Sequence, residues 1–199
     1  MAATADRILA EARGEFARRG FNAARLQDIA SRAGLTHPTL LYHFGSKERL
    51  YEAVIEAAVH DWAETTRRAI STGLRGFDQV AALLEAGFQF FASHHDVVVI
   101  VRREALEGGG RLEAAIADHM RPFLRDAIAF LEREVAAGRL RPHDPAELMQ
   151  LIYAALLTHF SDARFRARLF GASDGDGERF LRALTEILRA ALEPAAPRA

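Results

Sequence analysis

The stretch RLQDIASRAGLTHPTLLYHFGSK, Arg25 to Lys47, decides how the rest of the chain is read. Leu26, Ile29, Ala30 and Ala33 recur at i, i+3, i+4 and i+7, the apolar stripe of a short amphipathic helix. Gly34 follows where a helix needs a residue that tolerates a left-handed backbone. Thr36 is placed to cap a second helix, with Pro38 in its first turn, where a missing N–H costs nothing. Leu40, Leu41 and Phe44 give that helix an inward face. Helix, glycine turn and helix within about twenty residues is the helix-turn-helix layout, whose second helix enters the DNA major groove.

The outward side of the second helix suits DNA. Thr36, His37, Thr39, Tyr42 and His43 offer hydroxyls, imidazoles and a phenol, none of them negative. Such groups bond phosphate oxygens and base edges. Ser46 then caps a third helix, whose free N–H groups and positive dipole end form a phosphate site. Lys47, the only lysine in the chain, sits on that helix start. A buried helical hairpin with a polar rim is the other reading of the same pattern.

These residues resemble the DNA-binding domain of the tetracycline-repressor (TetR/AcrR) family of bacterial regulators. The resemblance rests on Gly20-Phe21, on Asp28-Ile29-Ala30 with Ala33-Gly34, on Thr39 to Phe44, and on Ser46-Lys47-Glu48 with Leu50. It runs in unbroken register over about the first 60 residues. It implies that Thr39, Tyr42, His43 and Lys47 occupy operator-contact positions, with His37 and Pro38 near bases. Two departures stand out. Leu41 replaces a tyrosine of the recognition helix, and Ala23-Ala24-Arg25 replaces the Thr/Ser cap of the preceding helix. The lost cap weakens that helix start by ~1 kcal/mol. Arg25 is left as a candidate phosphate contact.

The whole chain fits this picture. Its 199 residues, half of them hydrophobic, are enough to bury a proper core. The net charge of −1 argues against general polyanion binding, yet the charge is uneven. Residues 1–50 hold eight basic and five acidic residues, and the remainder holds 18 basic and 22 acidic. A basic head on an acidic body suits a protein that presents one end to DNA. There is no cysteine, so disulfide and thiol chemistry are excluded. Asp6, Glu11 and Glu15 are unlike a secretory signal, and the branched apolar run Val97 to Val101 is too short to span a bilayer. The expectation is a cytoplasmic protein without a membrane partner.

Periodicity predicts an all-α chain of about nine helices: three in the head, one connector and five in the body. Thr4 is placed to cap the first helix, which stops at Gly20. The connector runs from Ser46 to about Ile70. Body helices follow at about 77–94, 96–106 and 112–137, the last with Pro122 as a possible bend. Asp144 and Pro145 open a helix to about 165, and a last helix covers about 178–192. The domain reading is residues 1–48 for the head, with the motif core at about 25–44. Residues 49–193 form a ligand-binding and dimerisation body, and 194–199 a flexible tail. The resemblance implies that the last two long helices pair with their twins in a homodimer. Their wide apolar stripes agree, although one subunit could also consume them.

The resemblance also places Trp62, Phe88, Phe91, Met120, Phe123 and Tyr153 on the helices around an apolar effector pocket; His94, His95, His119 and Arg102 or Arg103 are the candidate polar anchors, with ordinary surface or capping roles as the other reading of each histidine. An aromatic stripe at helical spacing equally serves as plain core. No catalytic chemistry emerges. His94-His95 are adjacent rather than i, i+4, and neither an HExxH nor a G-x-S-x-G pattern occurs. Asp174, Asp176 and Glu178 alternate like only a fragment of a calcium loop. Runs of Glu and Arg read as solvated faces with local i, i+4 pairs. The expectation is a non-enzymatic repressor without metal or cofactor. It binds double-stranded, palindromic operator DNA as a dimer and is released by a small apolar effector. The rival readings are a helical enzyme or carrier using the aromatic cavity, and a constitutive architectural DNA binder.

Overall fold

The computed structural model describes residues 2–70, 73–108, 110–171 and 176–195, apart from the side chains of 2 and 111–119. These residues form ten helices and no strand: α1 (Ala2–Ala23), α2 (Leu26–Arg32), α3 (His37–Phe44), α4 (Lys47–Ile70), α5 (Gly76–Ser93), α6 (His95–Glu107), α7 (Gly110–Ala136), α8 (Pro145–Ser161), α9 (Ala163–Phe170) and α10 (Asp176–Leu192). The all-α expectation holds, with one helix more than the periodicity suggests. The segment expected as one helix over 144–165 breaks at Asp162, whose backbone (φ −108°, ψ 23°) leaves helical geometry. Two side chains compete with the helix there. Ser161 Oγ donates to the Asp162 carboxylate at 2.8 Å, and Arg166 Nε takes the His159 carbonyl at 3.1 Å. Thr4 is not a cap, because α1 starts at Ala2 and Thr4 lies inside it. Helix α7 runs on through Pro122. The Asp174 position and residues 196–199 of the expected tail lie outside the described residues.

The helices fall into two compact units, and α4 and α7 each carry the chain from one to the other. The first unit runs to Asp61 and takes in His94–Met120. In it α1 packs on α2 and α6, and α2 on α3. Ile8, Ala12 and Phe16 of α1, Ile29 and Ala30 of α2, Leu40 of α3 and Leu50, Tyr51 and Val54 of α4 are buried. Tyr51 stands edge-on to Phe16 at 4.7 Å and Phe21 at 5.1 Å, and its hydroxyl donates to Glu104 Oε1 at 2.7 Å. Gly20 ends the first helical run at φ 73°, ψ 171°, where a Cβ would lie 2.6 Å from the Arg103 guanidinium. Only glycine turns the chain there.

One expectation about charge needs correcting. Some Arg–Glu pairs are the expected exposed i, i+4 contacts, as in Arg189–Glu193 at 3.1 Å. Glu15, Glu104 and Glu134, however, are buried. Glu15 collects Arg32 at 2.7 Å and Arg18 and Arg19 at 3.0 Å each, which ties α1 to the end of α2. A carboxyl group is tolerated in a helical core only where hydrogen-bond donors or cations meet it.

The second unit comprises Trp62–Ser93 and the chain from Arg121 onward. Helix α5 is its centre, packing on α8 and α10. Phe77, Val80, Leu84, Phe88 and Phe91 form its buried stripe. Gly87 lets α8 approach closely, since a Cβ there would meet Leu156 at 3.2 Å. Glu134 closes the start of α5: it accepts the Gly76 N–H at 2.7 Å and two Arg139 donors at 2.6 and 2.7 Å. Those Arg139 bonds outweigh burial and lower its pKa to about 2, with the Gly76 N–H adding to the shift.

Candidate functional site

The turn between α2 and α3 is built as the sequence requires. Gly34 sits at φ 66°, and Leu35 N–H returns to the Ala30 carbonyl at 2.9 Å. Thr36 Oγ1 then accepts the Thr39 N–H at 3.3 Å and shares a 2.8 Å hydrogen bond with Thr39 Oγ1. The cap at Thr36 and the Pro38 position are therefore as expected. Helix α3 buries Leu40 completely and half-buries Leu41 and Phe44. Its opposite side carries Pro38, exposed, and Tyr42, 82% exposed. They are four residues apart and so share one face. His37, Thr39 and His43 are half-buried beside that face, with the His43 ring 5.7 Å from the Tyr42 ring.

Gly45, at φ 77°, ends α3 with its N–H on the Leu41 carbonyl at 2.7 Å. Ser46 Oγ accepts the Arg49 N–H at 3.2 Å, the expected cap of α4. Lys47 is not a loose surface cation. Its ammonium donates to the Asn22 carbonyl at 3.1 Å and lies 4.9 Å from the Phe21 ring centroid. Arg25 precedes α2 in extended geometry and makes no side-chain cap bond, as expected where the Thr/Ser cap is missing. Its guanidinium end belongs to an exposed residue.

The aromatic candidates divide. Trp62 stacks on Phe90 at 6.0 Å and Tyr153 at 6.3 Å, and meets Phe91 edge-on at 5.1 Å. Phe88 lies 5.1 Å from Phe160, which is 6.3 Å from Phe91, so one connected cluster forms within the second unit. Phe123 is half-buried on α7, with no ring contact to the described members of this cluster. Arg102, half-buried on α6, and Met120, buried, belong to the first unit, as do His94 and His95. The His119 side chain lies outside the described residues.

The cluster also takes in Phe90, His159, Phe160 and Phe180, none of them a candidate pocket residue from the sequence, where Phe160 and Phe180 read as apolar-stripe positions. His159 is only 5% exposed and stacks on Phe180 at 3.9 Å, with Phe160 at 5.0 Å and Phe88 at 6.1 Å. Its Nδ1 is buried without a hydrogen-bond partner among the described residues. Desolvation, with Arg166 adding to it, pushes its pKa down to about 4, so the ring is neutral at pH 7. The available signal was its i, i+3 spacing from Leu156 on the apolar stripe of α8.

Large apolar side chains remain exposed on the last helices: Leu151 of α8 and Ile187 of α10, each 65%, and Phe165, Leu169 and Phe170 of α9. Ala154 of α8 and Ala183, Ala190 and Ala191 of α10 are exposed as well. Among the described residues no group of three or more His, Asp or Glu could hold a metal ion. No described helix is long and apolar enough to cross a membrane.

A capped three-helix head followed by a helical body is the form of a helix-turn-helix regulator. Residues 8–54 match the model of bacterial regulatory proteins of the tetR family, and residues 77–189 match a tetracyclin repressor-like C-terminal domain. The chain belongs to the tetracycline-repressor family of DNA-binding transcriptional regulators and is not an enzyme. It is 26% identical to the HTH-type transcriptional regulator RutR of Escherichia coli over 192 residues, covering 96% of this chain and 90% of RutR. A transcriptional regulator from Streptomyces coelicolor, SCO4942, has a similar structure, with a TM-score of 0.73 at 26% identity over 96% of this chain and 99% of that one. The fold also matches FadR of Bacillus subtilis, solved with stearoyl-CoA. There the TM-score is 0.74 at 16% identity, over 92% of this chain and 96% of that one.

Proposed function

We propose that the protein is a dimeric, ligand-responsive repressor that reads a palindromic operator. The observation that carries this reading is the division of α3, with Leu40 fully buried on one side and Tyr42 almost fully exposed on the other. Residues 1–48 serve as the DNA head and 49–193 as the effector and dimerisation body. On DNA, Tyr42, His43, Lys47 and Arg25 hold phosphates and set register, while His37, Pro38 and Thr39 lie closest to bases. Lys47 keeps donors beyond its bond to Asn22, so a phosphate can be added without breaking that bond. The exposed apolar side chains of α8 and α10, with alanines between them, suit a helix-on-helix contact with a second copy. A two-fold protein matches a two-fold operator, with heads roughly 34–36 Å apart or a multiple of it.

The effector enters the aromatic cluster of the second unit around Trp62, Phe88, Phe91 and Tyr153. The long acyl chain in the FadR structure supports an apolar effector class for this fold. The effector must bind one conformation of the body better than the other, since equal binding to both shifts nothing. Helix α4 links the body to the head and is the element whose shift would respace the heads.

The experiment is a mobility-shift assay on the DNA upstream of the chain's own gene, comparing wild type with Tyr42→Ala and Lys47→Ala. Wild type should bind with steep salt dependence. Both variants should bind at least tenfold more weakly, with Tyr42→Ala unfolding at the wild-type temperature and Lys47→Ala, which loses the Asn22 and Phe21 contacts, staying folded but unfolding slightly lower. Equal binding by all three would refute the reading of α3 as the recognition helix.

A further inference from the structure

His159 is a buried group of the body to which the proposed function gives no role. Its ring packs as an aromatic side chain would, face to face with Phe180 at 3.9 Å and edge-on to Phe160 at 5.0 Å. Phenylalanine would fill that place without leaving Nδ1 buried and unpartnered. A buried polar atom left unpaired is destabilising, so the imidazole is a poor choice for packing alone. A second feature points the same way. Arg166 of α9 ties its Nε to the His159 carbonyl at 3.1 Å, and it forms no ion pair with a carboxylate among the described residues. A half-buried cation without a counter-ion thus stands beside an imidazole with an unfilled nitrogen, on the edge of the aromatic cluster.

We propose that His159 is the polar anchor of the effector site and that, with Arg166, it selects an apolar ligand ending in a carboxylate. This rests on the ligand-responsive reading above and gives it a chemical class. The carboxylate oxygen meets Nδ1, and the guanidinium of Arg166 balances its charge. A neutral imidazole and one arginine match a single negative charge. A phosphate monoester would bring about two charges into the same apolar surroundings at far greater cost. The aromatic rings of Phe88, Phe160 and Phe180 take the apolar remainder.

The single tryptophan provides the readout, because Trp62 reaches His159 through the ring contacts of Phe91 and Phe160. The probes are decanoate and 4-phenylbutanoate, each paired with its methyl ester and titrated below micelle formation. In wild type at least one acid should change Trp62 emission with an affinity tenfold or more above that of its ester. His159→Phe should remove that preference while unfolding at the same or a higher temperature, because the unpaired nitrogen is gone. Arg166→Gln, at a half-buried position, should reduce the preference without touching the ring stack.

Equal binding of acid and ester by wild type overturns the anchor but leaves an apolar effector site standing. The same result follows if His159→Phe and Arg166→Gln both keep the acid preference. A His159→Phe protein that is less stable but binds the acid unchanged shows a packing role and overturns the proposal. No response to any of the four probes overturns both this inference and the effector reading on which it rests.

Discussion

Glu15→Gln tests how the head is held together. The Glu15 carboxylate is completely buried and faces Arg32, Arg18 and Arg19 at 2.7–3.0 Å. Arg18 and Arg19 lie on the same helix, and such pairs contribute about 0.2–0.5 kcal/mol each. Arg32 is the tertiary link, a charge-assisted bond from the last turn of α2 worth about 1.5–3 kcal/mol. The three guanidinium groups are 40–54% exposed and regain water when the carboxylate goes, which discounts the loss. Relief of the buried charge discounts it further. The net expectation is a destabilisation of about 2 kcal/mol. Arg32→Ala should cost less, about 1 kcal/mol, because Glu15 keeps its two intrahelical partners. The double mutant should show a coupling of about 1 kcal/mol. Urea unfolding of the full chain, followed by far-ultraviolet circular dichroism, measures all three. Operator affinity should fall with stability, because α2 sets the position of α3. A Glu15→Gln protein as stable as wild type, with no coupling to Arg32, would refute the claim that this carboxylate clamps α1 to α2.

Thr36→Ala removes the side-chain acceptor at the start of α3 and should lower stability by ~1 kcal/mol, with a larger relative loss of operator binding; chemical unfolding and a mobility shift read the two. Acid should act in two stages. His159 has its pKa lowered from 6.5 to about 4 by desolvation, so the unfolded chain takes up a proton that the folded one refuses: stability is unaffected by this group above pH 6.5 and falls as pH drops from 6.5 to about 4. Glu134, lowered from 4.5 to about 2, contributes fully above pH 4.5 and loses its contribution between 4.5 and 2. The urea midpoint measured against pH should therefore lose its upper slope in His159→Phe and keep the lower one. Leu151→Glu or Ile187→Glu, at 65% exposed positions, should yield folded monomers by analytical ultracentrifugation, with operator binding reduced at least tenfold. A dimer unchanged by both would place the interface elsewhere.

Local chemistry made the head legible. The Thr36 cap, Pro38 at the helix start, the left-handed glycines at 34 and 45 and the Ser46 cap are each settled within a few residues, and all are found as expected. The same holds for Asp144 and Pro145, where Asp144 Oδ1 accepts the Ala146 and Glu147 N–H groups at 2.9 and 3.1 Å. Where a feature depends on residues far apart, periodicity was blind to it. The stop at Asp162 looked like an uninterrupted helix, because competing side-chain bonds leave no mark on an apolar stripe. Glu15 looked like one more solvated charge, because its link to Arg32 spans 17 positions.

The order of residues alone determined the helical class, the head and its family membership, because helix caps, glycine turns and apolar periodicity are short-range properties of the chain. The tertiary structure alone decided which aromatic side chains meet. It drew Trp62, Phe91, Phe160 and His159 into one connected cluster and left Arg102 and Met120 in the other unit. It also decided that His159 is buried with a ring nitrogen unfilled among the described residues. Burial and contact across tens of residues come from how helices pack, and no stretch of sequence states its own packing partner.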